Sequence, residues 1–500
     1  MTDRKYKTRN APPSACSMIE SLRGLGYSTS TALADIIDNS LTAGANRVDL
    51  HFIWNGERQA VAILDNGHGM SDNELFDAMR LGFLSPLSER TAHDLGRFGL
   101  GLKTASFSQC RSLTVASKRK NGDMASLRWD LDHLAADTSF QWLLLEEPGD
   151  EAAFMLPMLE ISPHGTLVVW EKLDRIITPG FSPQDYLDLV DNVEKHLALT
   201  FHRFLQGPNP SLHLTLNSIQ IKAYDPFMQN HPATWNSPST NFPTNHGLVC
   251  MQGHVLPHKD KLSPKEYADA AGPEGWTAHQ GFYVYRNQRL IVAGSWLNLG
   301  TGRAWTKEEA HRLARIRLDI PNTADADWKL DIRKSTAWPP VTIRKQLVQL
   351  AETVRKRARR VFAHRGEYSK GKAHKEPTLP IWLVENGQGD VCYRISREHP
   401  AVSTLVLDDA FGNAVQAMLS LIEKNVPVQR IWLDAAEGKD APQNVGASPP
   451  TAEMQDILYT VYKNFLRRAR LSPDDAKKRL KNTEPFNMFP ELVDELPDNP

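Results

Sequence analysis

The sequence predicts a mixed α/β protein of more than one domain. Three observations point there. Helical and strand-like patterns alternate from about residue 15 to 175 and again from 180 to 340. A turn around Gly56, the polar, Gly-containing stretch "SPLSERTAHDLGRFG" and the linker-like "GEYSKGKAHKEPTLP" interrupt or follow them. The length of 500 residues is more than one small core can organise and predicts two to four domains.

The elements follow in order. "STALADIIDNSLTAG" has helical spacing, with Ser28 or Ser30 as its N-cap and Gly44 as its stop. "RVDLHFIWN" and "RQAVAILDN" read as two strands turning around Gly56. "SDNELFDAMRLG" is a short helix capped by Ser71. The polar stretch 84–95 reads as a mobile loop, and "LGLKTASFSQC" opens another helix. "SLTVASKR", "MASLRWDL" and "GTLVVWEKL" are strands. In the second unit, "PQDYLDLVDNVEKHLALTFHRFL" is a long helix and "LHLTLNSIQI" a strand broken at Asn217-Ser218. "QGFYVYRNQRLIVAG" is a hairpin turning at Asn287-Gln288, and "ARIRLDIP" a strand. A helix starts after Pro339-Pro340. Residues 366–380 read as a linker, followed by a short β segment and helices near 408–424 and 450–471.

Composition sets limits. Hydrophobic residues make up 41% and charged residues 23%, as in a globular protein, and the formal net charge is −1. The molecule as a whole is therefore not a basic nucleic-acid binder, and any such contact needs a local patch. There is no run of 18 apolar residues, so no membrane span is expected. The start, "MTDRKYKTRNAPPSACS", lacks the apolar stretch of a signal peptide. Four scattered cysteines give neither zinc spacing nor a disulfide framework. A reduced, cytoplasmic protein is expected.

Four stretches carry chemistry. In "TALADIIDNSLTAGA", Asp35 and Asn39 are four apart and share a helix face. An Asn oxygen is a neutral ligand suited to Mg²⁺, and a carboxylate one turn away can orient and deprotonate a water for attack on a phosphate. A solvated polar face would look the same. Asp38 lies one residue off that face and reads as a solvent or interface charge. In "ILDNGHGM", a strand runs into Asp65, whose buried carboxylate needs a donor such as an adenine amino group. Gly67 and Gly69 let the backbone approach a flat ring, and Met70 can pack on it. The competing reading is an Asn-Gly hairpin turn. In "GRFGLGLKTAS", Gly96, Gly99 and Gly101 precede a helix start whose N–H groups can bind phosphate, with Lys103 adding a cation. This is neither a Walker A loop nor a dinucleotide fingerprint. In "HGTLVVW", Thr166 opens a strand, as threonines commonly do.

In this order, the four stretches resemble the GHKL ATPase superfamily with its Bergerat nucleotide fold, which includes gyrase-type topoisomerases, heat-shock-90 chaperones, histidine kinases, MutL and MORC proteins. The resemblance spans about residues 30 to 170. It implies ATP and Mg²⁺ as ligands. Asn39 would hold the metal and Asp65 the adenine amino group. Gly69 matches the second-motif glycine, with Gly67 and Met70 beside it, and Thr166 would join the adenine network. Gly96, Phe98, Gly99, Leu100, Gly101 and Lys103 would wrap the phosphates within a lid. The family usually has Glu where this chain has Asp35, one methylene shorter but still ionising near pH 4. It often has Asp where this chain has Thr42, to which no role is attached.

"WKLDIRKSTAWPP" and the 281–291 hairpin look like the second domain of MutL, MORC and gyrase-type members, from which a lysine reaches the γ-phosphate. Lys334 is the first candidate and Lys329 the second. Over about residues 15 to 365 the chain looks most like prokaryotic MORC-like ATPases. The implied architecture is a Bergerat-fold ATPase sandwich at 1–178, a ribosomal-protein-like α/β transducer at 179–365, a linker at 366–380 and a smaller mixed domain at 381–500. The resemblance further implies ATP-dependent homodimerisation through the N-terminal domains and a DNA restriction or anti-phage setting, with a nuclease or other defence partner encoded nearby. Between Val341 and Pro377 there are eleven Lys/Arg against three Asp/Glu, including "RKRARR". The basic helix over 341–375 can track a DNA backbone or simply face solvent. "RRARLSPDDAKKRLK" is a weaker case. A nucleotide-gated scaffold that barely hydrolyses ATP and a heat-shock-90-like chaperone are the alternatives.

Overall fold

A computed structural model describes residues 13–24, 26–55, 58–82, 101–136, 141–244, 247–321, 324, 327–329, 337–363, 379–386, 391–406, 411–428, 431, 452–467 and 470–498. Gly96, Phe98, Gly99, Leu100, the 84–95 stretch, Lys334 and most of the 366–380 linker lie outside the described residues.

The first half alternates helices and strands as expected. Helix α1 (Ala15–Arg23) precedes α2 (Thr29–Thr42), β1 (Arg47–Trp54), β2 (Gln59–Asp65), α3 (Asp72–Met79) and α4 (Gly101–Phe107). Then come β3 (Ser112–Lys118), β4 (Met124–Asp130), α5 (Leu131–Ala136), α6 (Asp150–Glu160) and β5 (Gly165–Glu171). Of the two serines that could start α2, Ser28 does so. Its hydroxyl accepts from Thr31 N at 3.2 Å, while Ser28 N donates to Thr31 Oγ1 at 3.0 Å. This reciprocal box satisfies two backbone donors at once. Gly44, at φ +73°, follows the helix end. Ser71 and Glu74 form the same kind of box at α3.

After β5 come α7 (Pro183–Thr200), α8 (His202–Leu205), β6 (His213–Leu216) and β7 (Ile219–Gln220). Asn217 and Ser218 turn β6 into β7 at φ +47° and +69°. The sheet has seven strands in the order β4-β3-β5-β2-β1-β6-β7. Its pairs are antiparallel except β1–β6, where Arg47 to Leu50 run parallel to His213 to Leu216. Strands β6 and β7, which follow residue 178 in the chain, thus complete this sheet along the edge of β1.

One sheet face packs on α1, α2, α4 and α7. Val61, Ile63, Val115 and Trp170 meet Leu33, Ile36, Phe107, Leu197 and Phe201 in one buried cluster. The alternate residues Ala60, Ala62, Ala116 and Val169 point the other way, onto Ala152, Met155 and Leu159 of α6. The small alanines let α6 lie close. The period-2 pattern thus hides two buried faces, and α6 was not expected from sequence.

A six-stranded sheet follows, built from β8 (Trp235–Asn236), β9 (Thr240–Thr244), β10 (Gly247–Val255), β11 (Gly281–Arg286), β12 (Arg289–Ser295) and β13 (Ala314–Ile320), with α9 (Pro264–Ala271) inserted. The order is β12-β11-β13-β10-β8, with β9 beside β10. The β11–β12 turn falls at Asn287-Gln288 as expected, at φ +46° and +68°. Such paired left-handed residues suit the twist of a two-residue hairpin.

The described residues sort into two compact units. The first takes those up to His254, Ala270–Thr306 and Arg315–Ala351; the second takes Val255–Asp269, Lys307–Ala314 and those from Glu352 onward. The basic helix α10 (Val341–Phe362) buries Ile343, Leu347, Ala351, Val354 and Ala358 on one face. Arg355 of the "RKRARR" run is itself buried, with Glu308 at 4.0 Å, while Lys356, Arg357, Arg359 and Arg360 are exposed. The second unit also holds the hairpin of β14 (Trp382–Asn386) and β15 (Val391–Ile395), α11 (Pro400–Val406) and α12 (Gly412–Lys424). Two later helices, Ala452–Arg467 and Pro473–Lys481, pack around Leu458, Tyr462, Phe465 and Leu480. In the second of these, Lys477 pairs with Asp498 at 2.9 Å and Lys481 with Asp494 at 2.6 Å, so part of that basic run is matched locally. No helix among the described residues is long and apolar enough to cross a membrane.

Candidate functional site

The site is built on α2 and the end of β2. Hydrophobic burial of Ala32, Leu33, Ile36 and Ile37 fixes the rotation of α2. Asn39 then falls on the exposed face, and its side chain has no hydrogen-bond partner among the described residues. Asp35, one turn earlier, is only 5% exposed. The Tyr27 hydroxyl donates to its Oδ2 at 2.9 Å. Ser40, next to Asn39, turns inward and donates to Asp65 Oδ2 at 2.7 Å. That bond ties the Asn39 turn of α2 to the end of β2.

Asp65 is buried, as its place at a strand end implies. Its Oδ1 accepts from Gly67 N at 2.9 Å and Thr166 N at 3.2 Å. Burial pushes its carboxyl above the usual range, while Ser40 and the two amides pull the other way. A carboxylate offers about four acceptor directions, and these three donors leave one for a ligand.

The glycines are required by contact. A Cβ on Gly69, whose φ is +68°, would lie 2.0 Å from the Lys118 carbonyl oxygen. One on Gly67 would meet the Ala43 Cβ at 2.8 Å. The segment is no hairpin turn, because β2 pairs with β1 and β5 while residues 66–70 run on toward α3. Met70 packs against the main core, and its N–H donates to Ser117 Oγ at 2.8 Å. Ser117 Oγ lies 2.9 Å from Thr166 Oγ1 and 3.1 Å from the Gly165 carbonyl. One assignment satisfies all three contacts: Ser117 donates to Gly165 and accepts from Met70 and Thr166. Thr166 thus supports the Asp65 carboxylate by its amide while its hydroxyl bonds to Ser117.

Two expectations change. Lys103, expected as a phosphate cation, is 3% exposed and points elsewhere. Its Nζ donates to the carbonyls of Ala78 at 2.7 Å and Arg80 at 2.9 Å. It closes the C-terminal end of α3, where free carbonyls and the helix dipole favour a cation. Burial lowers its pKa to about 8. Asp38, expected as a solvent or interface charge, is 1% exposed and accepts from Arg289 Nε of β12 at 2.9 Å. Gly101 is the first described residue of α4. Sequence reading missed Tyr27, Ser40, Ser117 and Arg289. Ser40 alone left a signal, its place beside Asn39. The remaining three lie in other elements, and no spacing rule links them to Asp35, Thr166 or Asp38.

Among the described residues no group of three His, Cys, Asp or Glu side chains forms a metal cluster. A family model described as histidine kinase-, DNA gyrase B- and HSP90-like ATPase matches residues 27–166. The chain is 30% identical over 97 residues to "ATPase morc-1" of Caenorhabditis elegans, covering 19% of this chain and 11% of that protein. It is 30% identical over 93 residues to "ATPase MORC2B" of Mus musculus, covering 18% and 9%. It is 29% identical over 208 residues to "DNA mismatch repair protein MutL" of Shewanella woodyi, covering 39% and 29%. The chain thus spans less than a third of the length of each of these relatives.

Proposed function

We propose, from the premise that residues 27–166 are a domain of the histidine kinase-, DNA gyrase B- and HSP90-like ATPase family, that the chain is an ATP-driven conformational switch. The observation that carries this reading is the unfilled acceptor direction of buried Asp65, set among Ser40, Gly67 and Thr166. An adenine amino group fits that direction. Asn39 fits a magnesium site that keeps several waters, since it offers one neutral oxygen to solvent. A bound magnesium ion would neutralise charge on the phosphates.

Asp35 accepts the proton of an attacking water, and Tyr27 orients its carboxylate. Gly101 belongs to the phosphate end of the site, together with Gly96, Phe98, Gly99 and Leu100. Lys334 reaches the γ-phosphate and makes closure depend on it. Two protomers pair through their N-terminal domains when ATP is bound. The exposed cations Lys356, Arg357, Arg359 and Arg360 on α10 contact a DNA backbone. The names of the MORC and MutL relatives support an ATPase acting with DNA, and a cytoplasmic restriction or anti-phage role with a separately encoded nuclease is the setting proposed. A second reading is a nucleotide-gated clamp with little turnover. The short arm of Asp35 and its bond to Tyr27 favour it.

Phosphate release by wild type, Asp35→Ala and Asn39→Ala, with and without DNA, separates the two readings. The switch reading expects turnover that Asp35→Ala abolishes while ATP still binds. Wild-type ATP binding without turnover in any condition supports the clamp. DNA stimulation at low salt that fades as salt rises supports the α10 contact.

A further inference from the structure

The buried pair Asp38–Arg289 joins α2 to the β11–β12 hairpin, and nothing in the proposed hydrolysis uses it. Asp38 sits between Asp35 and Asn39 on α2. Arg289 is the first residue of β12, directly after the Asn287-Gln288 turn. Their side chains are 1% and 7% exposed, with Nε to Oδ1 at 2.9 Å. The same guanidinium donates to the Leu290 carbonyl and lies 5.0 Å from the centre of the Phe201 ring, at the end of α7. Contact continues beyond it. His202 Nε2 is 2.8 Å from the Tyr285 hydroxyl of β11, Arg203 lies 3.4 Å over the Tyr285 ring, and Arg203 pairs with Asp319 of β13. Packed groups therefore run from the Asn39 turn to the central strands of the six-stranded sheet, buried as far as Tyr285.

A buried ion pair is a poor device for stability alone, because desolvation offsets much of its attraction and apolar residues of similar size hold a core as well. It is a good device for fixing register between two elements, since each charge tolerates few positions once water is excluded. Moving the Asn39 turn drags the Asp38 carboxylate, and Arg289 must follow or be left uncompensated.

We infer that Asp38 and Arg289 couple the nucleotide-binding helix to the six-stranded sheet, so that occupancy of the Asn39–Asp65 site is felt at the β11–β12 hairpin. Arg289 is a positioning residue, acting on Asn39 and Asp35 through Asp38. The inference rests on the proposed ATP site.

The experiment is amide hydrogen exchange by mass spectrometry on the full chain, with and without a non-hydrolysable ATP analogue and magnesium. Calorimetry measures binding separately. Wild type is expected to show slowed exchange in both Thr29–Thr42 and Gly281–Ser295 on binding. Asp38→Asn and the apolar double variant Asp38→Leu/Arg289→Met are expected to bind the analogue and protect Thr29–Thr42, with the Gly281–Ser295 response lost. Arg289→Lys, which keeps the charge, is expected to retain part of it. A folded double variant whose hairpin still responds like wild type overturns the coupling. So does a wild type that binds the analogue with no change at the hairpin. A wild type that binds no nucleotide overturns the ATP-site reading and the coupling with it, and the calorimetry tells that failure from the first two.

Discussion

Replacing Asp65 with Asn reverses one hydrogen-bond direction and leaves the shape of the site nearly unchanged. The new Oδ1 can still accept from Gly67 N and Thr166 N, now 2.9 and 3.2 Å from the carboxylate. The new Nδ2 takes the place of Oδ2 and faces Ser40 Oγ, which is able to accept. Ser40 can then turn its own hydrogen to the Ile36 carbonyl, 3.5 Å away. The fold should lose no more than about 1–2 kcal/mol, the worth of one or two rearranged hydrogen bonds. The ligand is affected differently. An adenine amino group loses a charged acceptor, about 1.5–3 kcal/mol, which is roughly ten- to a hundredfold in Kd. Inosine triphosphate carries a carbonyl where adenine carries its amino group, so it should gain on ATP in the variant. Calorimetric titration of both nucleotides into wild type and Asp65→Asn, after thermal melts confirm folding, reads both effects. A folded Asp65→Asn protein that binds ATP within about twofold of wild type would refute the reasoning, since a charged hydrogen bond is worth more than that.

Other expectations follow from the same geometry. Gly69→Ala should lose nucleotide binding and at least about 1–2 kcal/mol of stability from left-handed strain alone, because its Cβ would lie 2.0 Å from the Lys118 carbonyl oxygen; chemical denaturation and calorimetry check it. Lys103 has a pKa lowered in the fold to about 8, so between there and its ordinary value the unfolded chain holds more protons. Stability of wild type relative to Lys103→Met should therefore rise with pH across that window, and a flat difference in melting temperature would contradict it. Asp65 titrates above the ordinary carboxylate range in the fold, and its charged form is the one that accepts from adenine. ATP affinity should fall on acidification earlier than for an ordinary carboxylate, and Asp65→Asn should lack that dependence. Arg289→Met alone should lower stability by removing the charged bond to buried Asp38, whereas Asp38→Leu/Arg289→Met should recover most of that loss, as chemical denaturation would read.

The sequence was most informative where a pattern is local. Caps, the two strands flanking Gly56, the left-handed turns at Asn217-Ser218 and Asn287-Gln288, and the end-of-strand burial of Asp65 all depend on residues a few positions apart. It was least informative where partners are remote. Asp38 looks like a surface charge until Arg289, 251 positions away, is brought beside it. Lys103 looks like a phosphate cation because it follows a glycine-rich stretch, but in the fold its ammonium donates to carbonyls left open at the end of α3. Ser117 carries no motif at all, since a serine in a strand is recognised only through what stands across from it. In β3 that is Thr166, its register partner in β5.

The parallel pairing of β6 with β1 has a practical corollary for dissection of the chain. A fragment ending at residue 178 would bare the β1 edge along Arg47 to Leu50, where Val48 and Leu50 are fully buried in the intact chain. Such an open, apolar border invites pairing between copies, and clumping of that fragment would say nothing about the nucleotide site. A fragment carried through Gln220 retains both β6 and the short β7 that ends the sheet, and is the better starting point for isolating the half that holds the candidate site.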